Sequence, residues 1–151
     1  MATKTDEHIE FTKVATRLIV ADAAAAIDFY RRAWGATLNQ RVAAPDGTII
    51  HAELAIGPAT VAVKDADETD PVSRPGPIMS LHCDDVDAAA EAFLAAGGTV
   101  VFPVADHPYG DRAGRFLDPF GVQWMVSQVI RDLTDDEMQD VVAQMFQESQ
   151  P

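Results

Sequence analysis

Two hydrophobic periods alternate along this chain, and turn residues mark where one gives way to the other. Residues 14–20, VATRLIV, read as a β-strand. Asp22 then supplies an N-cap, and Ala26, Ile27, Tyr30, Ala33 and Trp34 share one stripe of a helix over residues 23–34. Gly35 stands where a helix ends on a left-handed residue. Strands over residues 37–42, 48–56 and 59–64 follow, separated by Pro45-Asp46-Gly47 and Gly57-Pro58. Residues 66–76, acidic, proline-bearing and poor in apolar side chains, read as a linker.

Beyond the linker the order starts again. Residues 78–83 form a strand and 86–96 a helix with Val86, Ala89, Ala90 and Phe93 on its stripe, ended by Gly97-Gly98. Residues 99–105 form the next strand. Asp118-Pro119-Phe120-Gly121 is a tight turn joining strand residues 115–117 and 122–126. The loop leading to this hairpin is rich in polar groups: His107, Tyr109, Asp111 and Arg112.

The halves share one plan, strand–helix–strand–strand–strand, offset by roughly 62–63 positions. Asp22 answers Asp84 or Asp85, and Gly35 answers Gly97 or Gly98. Neither half has enough helix to cover both faces of its sheet. The expected fold is α+β: paired βαβββ modules forming an eight-stranded curved sheet around a cleft, helices on the convex side. The domain organisation reads as a flexible tail over 1–12, a first module over 13–65, a second over 77–129, and a C-terminal helical segment over 130–151. That segment opens with a capping box, Thr134 to Glu137, and a Leu133–Met138 staple. Met138, Val141, Val142, Met145 and Phe146 form an apolar stripe, expected to pack on its own domain or on a second subunit.

Composition acts mainly by exclusion. A formal charge of −13 argues against nucleic acid and anionic membrane surfaces as partners. One cysteine, Cys83, allows no internal disulfide, which fits a reducing cytoplasm. The polar first ten residues predict no secretory leader, and no apolar run is long enough to span a bilayer.

Several segments together carry a family resemblance: Ala26-Ile27-Asp28-Phe29-Tyr30, Trp34-Gly35-Ala36, Asp46-Gly47, His51-Ala52-Glu53-Leu54, Tyr109-Gly110-Asp111-Arg112 and Asp118-Pro119-Phe120-Gly121-Val122-Gln123-Trp124. They resemble the PhnB-like branch of the vicinal oxygen chelate superfamily, which includes glyoxalase I, extradiol dioxygenases, and fosfomycin and bleomycin resistance proteins. The resemblance covers residues 14–127 and implies paired cups, a homodimer and a small-molecule ligand. Enzymes of the superfamily hold a divalent metal on the first and fourth strands of each module. The positions so implied, about Ala15, Ile78, Ala62 or Val63, and Met125, are apolar. No metal and no cofactor is therefore expected, and glyoxalase I, dioxygenase and thiol transferase activities are not carried over.

Strand alternation assigns side chains to the cleft. It sends Ile50, Ala52, Leu54 and Ile56 toward the helices and His51 and Glu53 into the cup. Arg17, Ser80, His82, Gln123, Met125 and Ser127 point inward by the same count. The expected ligand-binding set is Arg17, His51, Glu53, Ser80, His82, Tyr109, Arg112, Gln123 and Met125. Arg17 is read first as the counter-ion of Glu53. Arg112 and Arg115, with Tyr109 and Asp111, either close over a ligand from the rim, or Asp111 and Arg112 pin the hairpin while Arg115 packs or pairs with an acid of a second subunit. His51 beside Glu53 is also a candidate acid/base pair. Three functions stay open: a metal-free protein binding or sequestering a partly apolar ligand, a metal-independent isomerase or cyclase using Glu53 or His51, and an interaction protein using the last helix. An off-pattern metal site of His51, Glu53 and His82, serving a lyase or dioxygenase, is a further alternative.

Overall fold

The computed structural model describes residues 9–72 and 74–149. The first module holds β1 (Thr16–Val20), α1 (Ala23–Trp34), β2 (Thr37–Ala43), β3 (Ile49–Ile56) and β4 (Ala59–Asp65). The second holds β5 (Ile78–His82), α2 (Val86–Ala96), β6 (Thr99–Asp106), β7 (Asp111–Leu117) and β8 (Gln123–Val129). A last helix, α3 (Asp135–Glu148), follows. The strand orders are β1-β4-β3-β2 and β5-β8-β7-β6, one topology used twice. In each sheet the first strand runs parallel to the fourth, and Arg17 opposite Ala62 is answered by Ser80 opposite Met125.

Local chemistry explains the repeat. Asp22 and Asp85 cap α1 and α2 by accepting from Ala25 and Ala88 N–H. Gly35 takes the left-handed conformation, φ 64°, that ends α1. Each fourth strand also grips the start of its own helix. Asp65 Oδ1 accepts from Ala23 N–H at 2.7 Å, and Gln128 Oε1 from Val86 N–H at 3.0 Å. These acceptors satisfy helix N–H groups that have no partner inside the helix.

The core lies where α1 and α2 pack on each other and on the inner faces of both sheets. Phe29 and Phe93 meet edge to face at 5.1 Å, and Tyr30 and Trp34 both reach Trp124. Phe29 is 1% exposed, although it lies outside the stripe expected for α1. The cause is tertiary: α1 is covered on one side by sheet and on another by α2, so its buried arc is wider than one sheet would require. Burying a phenylalanine of this kind contributes about 1.5–3 kcal/mol.

Eight strands and two modules are as expected, but the strands form two four-stranded sheets rather than one continuous one. Neither β1 nor β5 takes the other as a hydrogen-bonded neighbour; each pairs only with the fourth strand of its own module. Ile50 also departs from expectation. Val42 pairs with His51 and Ala43 with Ile49, so Ile50 is the extra residue of a bulge, 48% exposed, and Ile49 takes its place in the core. The expected flexible tail lies mostly in residues 1–8, outside the described residues. Helix α3 has the expected capping box but buries none of its residues. Its apolar stripe borders a groove of about 210 Å³ beside Pro108 and Arg131.

Candidate functional site

With the helices behind them, the outward sheet faces carry the chemistry. Across the first sheet runs the row Gln40–Glu53–Ala62–Arg17, each residue paired with the next. Across the second runs the equivalent row Phe102–Arg115–Met125–Ser80. The duplication therefore places a carboxylate and a guanidinium at one equivalent position, Glu53 and Arg115.

On the first sheet the expected His51–Glu53 pair forms, with Nε2 3.6 Å from Oε1. The counter-ion of Glu53 is Lys13, at 3.0 Å, not Arg17. Arg17 instead donates to the carbonyl of Ile50, the residue that the bulge turns outward. The hydrogen bond from Lys13 holds the Glu53 carboxyl below the ordinary carboxylate range, against a smaller opposing effect of desolvation.

On the second sheet His82 is bracketed by hydroxyls. Its Nδ1 lies 3.1 Å from Ser127 Oγ and its Nε2 3.3 Å from Ser80 Oγ. Gln123 stands one alternation away from Met125, opposite Ile78. Among the described residues no three His, Cys, Asp or Glu side chains converge, so one chain does not bring His51, Glu53 and His82 together as a metal site. Cys83 donates weakly to the Ser127 carbonyl, and burial, the largest effect, pushes its thiol up.

Arg112 takes the pinning role. Its guanidinium engages Asp87 on α2 through two bonds, 2.9 and 2.8 Å, and Asp106 through a third, 3.0 Å. The side chain is therefore committed to the helix side of β7, while its neighbour Arg115 lies on the outward face.

A pocket of about 120 Å³ opens on that outward face, lined by Phe102, His107, Tyr109, Ala113, Gly114, Arg115 and Met125. Tyr109 and Met125 were expected there; the other expected ligand residues lie outside its wall. His107 stacks on Tyr109 with centroids 5.0 Å apart and planes 7° from parallel, and its Nε2 lies 3.3 Å from the Ala113 carbonyl. Arg115 sits over the Phe102 ring at 5.6 Å. Gly114 lets β6 come this close. A Cβ there would lie 3.0 Å from Val104 N and 3.1 Å from Phe102 O. Phe102 escapes sequence reasoning because two irregularities in β6 flank it, between Val100 and Phe102 and between Phe102 and Ala105. Arg115 was expected at the rim beside Tyr109, and alternation puts it on the face opposite to Phe116.

A larger hollow, about 430 Å³, lies between the linker and the Asp118–Gly121 turn. Its Asp118 carboxylate is already committed to four donors, and its Asp22 carboxylate caps α1. The pocket on the outward face is the better candidate despite its size.

The register sets the first-strand and fourth-strand positions side by side. Met125 faces Ser80 rather than Ile78, Ala62 faces Arg17, and Ala15 precedes β1. Guanidinium, methyl, hydroxyl and thioether do not make a donor set for a hard or borderline divalent ion.

Comparison with known proteins agrees with this architecture. The family described as Glyoxalase/Bleomycin resistance protein/Dioxygenase superfamily matches residues 8–126. An uncharacterized protein of Mycobacterium bovis is 40% identical over 135 residues, covering 83% of this chain and 89% of that protein. The crystal structure of TioX from Micromonospora sp. ML1 superimposes with a TM-score of 0.66 at 30% identity, covering 79% of this chain and 99% of TioX. A PhnB protein from Bacillus cereus shares the fold at 20% identity, TM-score 0.65, covering 78% of this chain and 100% of that one. The chain belongs to the glyoxalase/bleomycin resistance protein/dioxygenase superfamily.

Proposed function

We propose that this chain is a metal-free small-molecule-binding protein of the glyoxalase/bleomycin-resistance type, holding a partly apolar ligand on the outward face of its second sheet. The observation that carries this reading is the pocket in which Phe102, His107, Tyr109, Arg115 and Met125 meet. Aromatic faces and a thioether supply apolar contact, and a few polar groups supply orientation. The donor set along the Arg17–Ala62 and Ser80–Met125 pairs supports work without a metal. Sequestration of a toxic compound fits such a site. Cys83 as the single cysteine fits a cytoplasmic setting.

The acid/base alternative has weaker support. Glu53 is held as an ion pair by Lys13, and a carboxylate with a depressed pKa is a poor base at neutral pH.

The protein acts as a homodimer in this reading. The outward faces leave Phe102 60% and Ile78 55% exposed. A second copy laid against these faces would close each half-cup. No helix among the described residues is long and apolar enough to cross a membrane.

A thermal-shift and NMR screen with small aromatic compounds tests the binding reading. Stabilisation with shifts centred on Phe102, Tyr109 and Met125 is expected. Stabilisation by Mn²⁺, Ni²⁺ or Zn²⁺ that vanishes in His51→Ala or Glu53→Ala overturns the metal-free part. Sedimentation equilibrium tests the dimer, and a single monomeric species at all concentrations rejects it.

A further inference from the structure

We infer that the pocket selects a single-ring aromatic anion, such as an aryl carboxylate, and that Arg115 is the group that selects it. The inference rests on the binding site proposed above. The chain carries 24 Asp and Glu against 11 Lys and Arg, so carboxylate partners for arginine abound. Arg112 takes two of them. Arg115, three residues on and half-buried, takes none among the described residues and lies over the Phe102 ring. A guanidinium kept in a partly desolvated pocket without a counter-ion is poised for an anionic ligand.

The duplication sharpens the point. The equivalent position in the first module is Glu53, already neutralised by Lys13. Of the two equivalent outward charges, Arg115 alone is left without a counter-ion among the described residues. Its neighbours suit a flat ring. His107 and Tyr109 form a parallel stack at one side, and Phe102 presents its ring at another. Burial, and then the Asp111 carboxylate, push the Tyr109 phenol up. The volume of about 120 Å³ resembles that of an engineered cavity of about 150 Å³ that holds benzene. One ring with one carboxylate matches that volume.

The test titrates the full chain with benzoate and with benzamide, its neutral near-isostere, and follows both by NMR. Benzoate is expected to bind about tenfold more tightly or better, with shifts at Phe102, Tyr109 and Arg115. In Arg115→Met this preference is lost while benzamide affinity is kept. In Arg115→Lys part of the preference survives, and an unchanged amide spectrum certifies the fold of each variant. Equal binding of the two probes at the pocket overturns the anion inference and leaves the pocket standing. Preference for benzoate that persists in Arg115→Met also overturns it. Absence of shifts at the pocket with both probes removes the pocket reading itself.

Discussion

The Tyr30 hydroxyl donates to Asp118 Oδ2 at 2.5 Å, tying the helix of the first module to the hairpin of the second. Asp118 is 2% exposed and also accepts from Trp124 Nε1 at 3.0 Å and from the N–H groups of Phe120 and Val122. One buried carboxylate thus closes the turn that holds β7 to β8 and anchors α1 above it. Tyr30→Phe removes one of these donors from a buried acceptor. A loss of about 1–3 kcal/mol in urea unfolding is expected, with a larger loss for Asp118→Ala.

The same contact sets an alkaline limit. Burial, and then the Asp118 charge, raise the Tyr30 phenol above its ordinary 10.0. A proton held more tightly in the folded state stabilises fully below about pH 10 and progressively less as pH rises toward the folded value. The stability difference between wild type and Tyr30→Phe should therefore be constant through neutral pH and should narrow above pH 10. Chemical denaturation across that range checks the sign.

Gly114 controls the shape of the pocket. An added Cβ meets Phe116, Val104 and Phe102 at 3.0–3.1 Å, two of these being backbone atoms. Gly114→Ala should push β6 away from β7, costing about 1–3 kcal/mol and moving Phe102 relative to Arg115. NMR shifts concentrated in residues 100–106 and 113–116, with weaker ligand binding, are the expected readout; unchanged binding would show that this close approach does not shape the site.

Arg112 should separate stability from binding. Its bonds to Asp87 hold that carboxyl below the ordinary range. Such a carboxylate stabilises above its unfolded pKa and loses that contribution as pH falls through the lower, folded value. Arg112→Ala should remove this part of the acid-side stability profile and leave pocket affinity unchanged. A drop in affinity equal to that of Arg115→Met would place Arg112 in the site after all.

Helix α3 should unfold by itself. Thr134 Oγ1 accepts from Glu137 N–H, Glu137 Oε1 accepts from Thr134 N–H, and no residue of the helix is buried. Thr134→Ala should weaken the helix by about 1 kcal/mol. Hydrogen exchange in residues 135–148 should accelerate while the global unfolding midpoint stays put. A shifted midpoint would mean that α3 packs on something the isolated chain does not show, a second copy being the first candidate.

Local sequence determined much of this protein. Asp22 and the Asp84-Asp85 pair beside apolar stripes marked where both helices begin, Gly35 and the Gly97-Gly98 pair marked where they end, and period-two alternation put His51, Glu53, Ser80, His82 and Met125 on the faces away from the helices. These features depend on neighbours a few residues apart, so one chain read in order reveals them. Tertiary structure decided the rest. The bulge at Ile50, the choice of Lys13 rather than Arg17 for Glu53, the commitment of Arg112 to Asp87, and the meeting of Phe102 with Arg115 all depend on which strands and helices come to lie side by side. Charge pairing is decided by distance in space, and no spacing along the chain carries that distance.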